Sequence, residues 1–330
     1  MKLAKNLIAV GLIFMASTFF CGCQSNTVDF KYKVKAGTKN EYKHTSKLNV
    51  VSLKVNGKDE NVPKDEQSLT SIVTEETKSI TEKDERNIEL SISDAVLNRV
   101  IDGKSQEIPL NQITEQKTKY KMTDKGVITE IDGTEVTENS SDIDNSIVSI
   151  RFDDKPTTKG ESWEVKTEKT VQSGPVSSDK IKTIKTYTFD GYEKYKNKSL
   201  AKITEKIDMT MNREYKLPPT KSGDKPIEVP VINQSAKTEG TGTILFDVNK
   251  GCIVKEEKNW TITNNDSKDF TKMKNIPKEE QQKMDRVSVL EINVEYELVE
   301  NEADSDKSNE SAKEEKKPEV KKEEPKEEKK

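Results

Sequence analysis

The sequence is poor in the residues that most often build catalytic and metal sites. It contains one histidine, His44, and three cysteines among 330 residues. A Ser-His-Asp or Cys-His triad needs a histidine beside its nucleophile, and a zinc site needs several histidine or cysteine ligands. No glycine-rich phosphate-binding loop occurs either. We therefore expect no catalytic residue, no metal site and no cofactor, and we interpret His44 as an exposed strand residue.

Aromatic side chains are also scarce, at 5% of the residues, whereas charged side chains make up 35%. Such a chain can bury only thin cores built mainly from Ile, Val and Leu. The 56 basic and 60 acidic residues give a net charge of −4. Nucleic-acid binding requires a clustered basic surface, so nucleic acid is not expected as a partner. A hydrolase using two carboxylates would find many acidic residues, but with 60 of them pairs arise by chance.

Long apolar runs are missing except for residues 7–20, which follow two early lysines. Fourteen residues are too few for a membrane helix, which needs about 20, but they fit the core of a removable signal peptide. The sequence Phe20-Cys21-Gly22-Cys23 that follows resembles a bacterial lipoprotein cleavage site, although Phe20 stands where leucine is usual. The resemblance implies a signal peptide over residues 1–22, diacylglyceryl attachment at the Cys23 sulfur, and cleavage after Gly22.

Two other interpretations of this segment fit less well. An uncleaved membrane helix would need a longer apolar run. A secreted protein cut before Cys21 would place the bulky Phe20 where small residues are favoured. We therefore expect a lipidated tether at residues 23–29 and a location on the extracytoplasmic face of the cell membrane, because two acyl chains hold a protein there stably.

Loss of Cys21 and modification of Cys23 would leave Cys252 as the only thiol. A lone cysteine can be a nucleophile or a small apolar residue on a strand. The second interpretation is favoured, because no histidine is expected near it. The mature chain could then form no internal disulfide.

Alternating apolar and polar residues predict half-buried antiparallel strands. Residues 87–92 carry apolar side chains at even positions, residues 201–211 carry them at odd positions with Glu205 as an interruption, and residues 290–298 alternate without a break. The only clear helix signal is the run 277–284, which Pro277 opens. The sequence therefore predicts a mainly β fold of curved antiparallel sheets with one or two short helices.

Glycines mark turns between these strands and suggest an internal duplication. Gly126 and Gly251 each end a short polar segment that separates two apolar segments, which is the pattern of a hairpin turn. Gly37 and Gly160 form a second pair at a similar spacing. We expect two related halves, residues 30–155 and 156–300, followed by a disordered Lys/Glu-rich tail at residues 301–330. A proline-rich loop at residues 217–230 and a weak calcium candidate at residues 142–145 complete the layout.

The signal and Cys23, the motif at residues 120–131, the segment 155–163 and Phe246-Asp247 with Gly251 together resemble an uncharacterised family of bacterial lipoproteins. The resemblance implies an extracytoplasmic β-rich protein without an assigned activity. Trp163, Tyr187, Phe189 and Trp260 are among the chief aromatics of the second half. Tyr187, Phe189 and Trp260 are expected to fill the core; the alternative is a groove for an apolar or sugar ligand that is lined by aromatics. We expect a non-enzymatic binding or structural module of the cell envelope that contacts an envelope component. The alternatives are a carrier of a lipid or other apolar ligand, and, third, a carboxylate-based hydrolase.

Overall fold

The computed structural model describes residues 26–62, 66–101, 103–114, 117–136, 150–174, 177–215, 221–222, 225–226, 231–271 and 277–299. The signal peptide, Cys23 and the tail predicted at residues 301–330 lie outside these residues. So do the calcium candidate at residues 142–145 and most of the proline-rich loop. Within the described chain, no helix is both long and apolar enough to cross a membrane.

Strands account for nearly all of the regular structure, as the alternation predicts. In chain order they are β1 (Thr27–Val28), β2 (Lys39–Val55), β3 (Lys58–Asp59), β4 (Glu66–Ile80), β5 (Arg86–Ile101), β6 (Lys104–Pro109), β7 (Lys117–Met122), β8 (Ile128–Ile131), β9 (Thr134–Glu135), β10 (Thr157–Thr158), β11 (Ser162–Gly174), β12 (Ser177–Tyr195), β13 (Lys198–Tyr215), β14 (Lys221–Ser222), β15 (Lys225–Pro226), β16 (Val231–Asp247), β17 (Cys252–Asp269) and β18 (Lys283–Leu298). One α-helical turn, α1 (Asn111–Thr114), precedes β7, and a 3-10 turn at Lys278–Glu280 stands where the run 277–284 predicted a helix.

Fourteen of these strands form one antiparallel sheet, which confirms the predicted fold class. Its path is β11-β12-β13-β16-β17-β18-β2-β4-β5-β7-β8-β9, with β3 beside β2 and β6 beside β5. Neighbours along the path are mostly consecutive in the chain, so short hairpins connect them. The neighbours β13 and β16, β2 and β4, and β5 and β7 are separated by only one or two short strands, whereas the pairing of β18 with β2 joins the last long strand to the first.

The hairpin turns lie where the glycines predict them. Gly126 has φ +81° in the turn between β7 and β8, and Gly251 has φ +65° in the turn between β16 and β17. Gly37 and Gly160 also have positive φ. The Gly37 amide donates to Thr77 O on β4, and the Gly160 amide donates to Phe189 O on β12. This likeness accords with a duplication, but the relation between the two halves stays a prediction.

Two non-regular segments cross one end of the sheet and show that it curls. We call residues 28–36 strap 1 and residues 150–156 strap 2. Strap 1 bonds to both hairpin turns, from Tyr32 N to Asp124 O at 2.8 Å and from Lys33 N to Gly251 O at 3.3 Å. Strap 2 bonds to Lys125 O and accepts the indole N–H of Trp163. Because strands from both halves of the path meet the same straps, the sheet is concave around them.

The core fills this strapped end, which we call the base. Phe30 of strap 1 stacks on Phe152 of strap 2 with ring centroids 5.3 Å apart, and it meets the edge of Phe189 at 5.2 Å. Trp163 stacks on Tyr187 at 5.4 Å. Burying each large ring contributes about 1.5 to 3 kcal/mol, so the few aromatics are concentrated where they stabilise most. The prediction that Tyr187 and Phe189 belong to the core is confirmed, and Trp163 is buried there as well.

Candidate functional site

The concave face of the sheet continues from the base toward the far ends of the long strands, which we call the distal end. Side chains on this face are identified by register, because residues paired across strands point to the same side. Tyr187, Glu205, Gly242 and Lys258 form one such row across β12, β13, β16 and β17. Since Tyr187 belongs to the core, the whole row faces inward.

Two carboxylates and one ammonium group share the inward face beside the core. Lys258 Nζ lies 2.8 Å from Glu256 Oε1 and 4.0 Å from Glu205 Oε2. The side chains meet over Gly242, where an added Cβ would lie 3.1 Å from Glu205 Oε2 and 3.2 Å from Lys258 Cγ. Glycine at this position therefore provides the space in which the ion cluster forms. We call Glu205, Glu256 and Lys258 the inner ion cluster.

Burial gives the inner ion cluster unusual electrostatics. Both glutamates are only 1% exposed. Burial opposes the charged form of Lys258, but the Glu256 and Glu205 carboxylates hold its pKa above the ordinary value. Burial also raises the pKa of Tyr187 well above its ordinary value, and Glu205 adds to that rise. The cluster carries two carboxyl groups for one ammonium and lies on the core side of the concave face.

Beyond the cluster, three successive cross-strand rows form what we call the apolar band. Most of its inward side chains are apolar and, with the exception of Ile207, only partly buried. Its apolar members are Leu48, Val50, Leu53, Val165, Ile181, Ile207, Met209, Met211, Ala236, Trp260, Ile262, Leu290 and Ile292. Nothing in the alternation distinguishes these positions from the core positions of the same strands. They differ because the straps cover only the base.

Trp260 lies in the apolar band and not in the core, so its predicted core position is wrong. Its ring lies against Gly240, where a Cβ would overlap the ring, and Lys258 Nζ lies 5.6 Å from its centroid. The interpretation of His44 as an exposed strand residue is also wrong. His44 is buried, stacks on Tyr296 at 4.6 Å and has Nδ1 3.1 Å from Ser71 Oγ. Both side chains fall on the inward face by parity.

A polar row closes the apolar band toward the distal end. Arg213 binds Asp179 through two hydrogen bonds of 2.6 and 2.8 Å, and its third contact is Gln234 Oε1 at 3.2 Å. The guanidinium group of Arg213 lowers the pKa of the Asp179 carboxyl. Planar, two-bond pairing of this kind holds both side chains in a fixed geometry. The apolar band is thus bordered by charge on both sides.

A third polar group lies beside the core under strap 1. Tyr120 Oη donates to Glu75 Oε1 at 2.8 Å, and the Arg86 guanidinium lies 4.7 Å from the centre of the Tyr32 ring. Burial raises the pKa of Glu75 to about 7, against the opposing effects of Tyr120 and Arg86. Cys252 lines the same small space and is buried, and burial raises its pKa to about 12. Its interpretation as a small apolar strand residue is confirmed.

Glu75 gives the protein a testable pH dependence. Because its pKa is about 7 in the fold against an ordinary 4.5, the folded protein binds a proton that the unfolded chain has released. This contribution is complete below pH 4.5 and is lost as the pH rises through 7. We expect Glu75→Gln to gain about 3 kcal/mol relative to wild type between pH 4.5 and 8, at 1.36 kcal/mol per pKa unit. Urea unfolding across this range measures the difference, and parallel curves would refute the assignment.

The described surface also contains a cleft of about 620 Å³ between strap 2 and the edge strand β11. Charged side chains line much of it, including Asp153, Asp154, Glu164 and Glu168. No sequence motif indicates this cleft, the inner ion cluster or the polar row. Glu205 could have been suspected, since it interrupts an apolar run at an inward position.

Comparisons with known proteins do not assign this chain to a family. No family model and no curated protein matches this chain. Among solved structures, the outer membrane protein OprG from Pseudomonas aeruginosa is similar at 7% sequence identity, covering 81% of this chain and 98% of that chain with a TM-score of 0.21. A similarity at this TM-score carries no argument about fold, location or function. The resemblance to bacterial lipoproteins stays a prediction.

Proposed function

We propose that this chain is a membrane-anchored lipoprotein of the extracytoplasmic face and acts as a non-enzymatic binding module for an amphipathic ligand. The observation that carries the proposal is the apolar band, whose inward side chains are only partly buried. Concave, mostly apolar surfaces with a few placed polar groups are the usual form of a small-molecule site. The inner ion cluster and the polar row supply those groups on either side of the band.

The band offers enough apolar contact to hold an alkyl chain. Removing a methylene group from water contributes about 0.8 kcal/mol, so a chain of about ten carbons could offset the cost of association. The band crosses strands of up to 19 residues. Neighbouring rows are two residues apart along a strand, so the distance from the first row to the third is about 13 Å. These dimensions suit a single acyl chain or part of a larger lipid.

The alternatives are supported less well. A carrier that releases an apolar ligand would use the same band, so it remains the second candidate. A carboxylate-based hydrolase would need its acids within reach of substrate, whereas Glu205 and Glu256 are 1% exposed and share Lys258. This burial supports a structural task for the inner ion cluster and favours a non-enzymatic protein.

Native mass spectrometry of the chain from Gln24 onward, which retains every described residue, tests ligand binding. We expect a bound amphiphile that organic extraction removes. Met209→Asp places a charge in the apolar band and should abolish the bound mass, whereas Thr210→Asp, on the other face of the same strand, should keep it. A protein that is empty from several expression hosts, and that binds no added alkyl chain, would contradict the proposal.

The anchor is tested separately in cells. Labelling with a radioactive fatty acid should mark the full-length protein, and Cys23→Ala should remove the label and release the protein from the membrane fraction. Cys252→Ala is the matched control, because it leaves the signal intact. Equal labelling of the Cys23→Ala protein would exclude Cys23 as the lipidated residue.

A further inference from the structure

Lys185 stands at an unusual position on β12. It pairs with Val165 on β11 and with Ile207 on β13, and both of these side chains face inward in the first row of the apolar band. Its neighbours on the same face of its own strand, Thr183 and Tyr187, are buried. Lys185 is therefore carried on the concave face among apolar side chains.

The other inward charges near the band are compensated, whereas Lys185 is not. Asp179 binds Arg213, and Glu256 binds Lys258. No carboxylate of the described chain lies within 4.0 Å of the Lys185 ammonium, and no hydrogen bond joins it to another described residue. Lys185 is partly buried as a residue, and a cation that leaves water without an anion loses hydration without regaining it from a partner.

The balance of charge in the band points the same way. Its three rows contain three cations, Lys185, Lys169 on β11 and Arg99 on β5, and no carboxylate among the residues that the structure describes. Lys169 and Arg99 already interact with other groups, so Lys185 is the cation of these rows on which the proposal depends. The inner ion cluster has the opposite excess, but its carboxylates are buried beside the core. A ligand lying on the band would therefore meet positive charge first.

We propose that the ligand of the concave face is an anionic amphiphile whose acidic head group pairs with Lys185. This inference rests on the proposed function and specifies the chemical class of its ligand. The alkyl chain would lie along Met209, Ile262 and Leu290 of the band, and a carboxylate or phosphate would take the place of the missing anion. A charge-assisted hydrogen bond to a lysine is stronger than a neutral one and supplies selectivity for the head group.

The structural alternative is that Lys185 only extends its ammonium group to solvent along its apolar stem. The two interpretations differ in what happens to head groups of different charge. Isothermal titration of the chain from Gln24 onward with dodecanoate, dodecanol and dodecylammonium separates them, with each probe kept below its micelle concentration. We expect dodecanoate to bind at least tenfold more tightly than dodecylammonium, with dodecanol between them.

Variants then assign the preference to one side chain. Lys185→Met should weaken dodecanoate about tenfold and leave dodecanol unchanged, and Lys185→Arg should keep the wild-type preference. Lys182→Met removes an exposed lysine from the outward face of the same strand and should change neither probe. Circular dichroism confirms that each variant is folded.

The outcomes distinguish this inference from the proposed function. If dodecanoate, dodecanol and dodecylammonium bind equally to the wild type, Lys185 does not select the head group, while the apolar band still binds chains. The same conclusion follows if Lys185→Met leaves the preference for dodecanoate intact. If none of the three probes binds, the proposed function itself fails.

Discussion

Gly126→Ala is expected to destabilise the protein by about 4 kcal/mol or more, a large share of the roughly 5 to 15 kcal/mol that stabilises a typical folded domain. Alanine strongly disfavours the φ of +81° at this turn, which costs about 1 to 2 kcal/mol. Its Cβ would also overlap the carbonyl oxygen of Ile150 and approach the Tyr32 ring to 2.9 Å. A small shift cannot relieve either contact. The first involves a backbone atom of strap 2, and the Tyr32 ring is held because its Oη accepts a hydrogen bond of 2.8 Å from Ile150 N.

Gly133→Ala separates backbone strain from the clash. Gly133 has the same φ of +81°, but an added Cβ would meet no atom within 4 Å. We therefore expect a loss of only about 1 to 2 kcal/mol there. Urea midpoints of the two variants, measured at one pH, give the comparison. Equal losses would mean that the straps do not pack on the turn as described.

Lys258→Met is expected to cost about 3 to 5 kcal/mol, the second large effect. Removing the ammonium group leaves Glu205 and Glu256 buried without a cation, and an uncompensated buried charge is strongly destabilising. The loss should be partly reversed in the double variant Lys258→Met/Glu256→Gln, because one of the two buried carboxylates left without a cation is removed. A double-mutant cycle with Glu256→Gln measures the coupling, which we expect to be on the order of 2 kcal/mol.

Lys255→Met is the matched control on the outward face of the same strand. Lys255 Nζ lies 2.8 Å from Glu257 and 3.2 Å from Glu295, so it also sits between two carboxylates. These partners are about half exposed, and surface pairs contribute little. A loss below about 1 kcal/mol is expected. If Lys255→Met and Lys258→Met cost the same, burial does not decide the energetics of the inner ion cluster.

The turns and the strand alternation could be predicted because they depend on neighbouring residues. Gly126 and Gly251 lie in tight hairpin turns, and residues 290–298 alternate along β18 as their sequence indicates. Glu205 shares its odd position with the apolar residues of its strand, so the sequence alone assigns it to the apolar face. Local rules were sufficient wherever only the backbone or the next strand was involved.

The candidate site could not be predicted, because burial on the concave face depends on how far the straps reach. Phe189 and Trp260 are both inward aromatics of long strands, yet Phe189 is fully buried under strap 1 and Trp260 is only partly buried in the apolar band. The meeting of Glu205 with Lys258 likewise requires β13 and β17 to flank Gly242 on β16. Such encounters join residues more than 50 positions apart.

Strap 1 has a consequence for the order of folding. Its Lys33 Nζ donates to Val248 O, 215 residues later in the chain. On one side β2 pairs with β4, but on the other it pairs with β18, the last long strand. Synthesis therefore produces the first strap and the first long strand well before these distant partners exist. Long-range pairings of this kind make folding slow, in milliseconds to seconds. The nascent chain would stay open until its last strands emerge, which would suit the export that we propose, because an exported chain crosses the membrane before it folds.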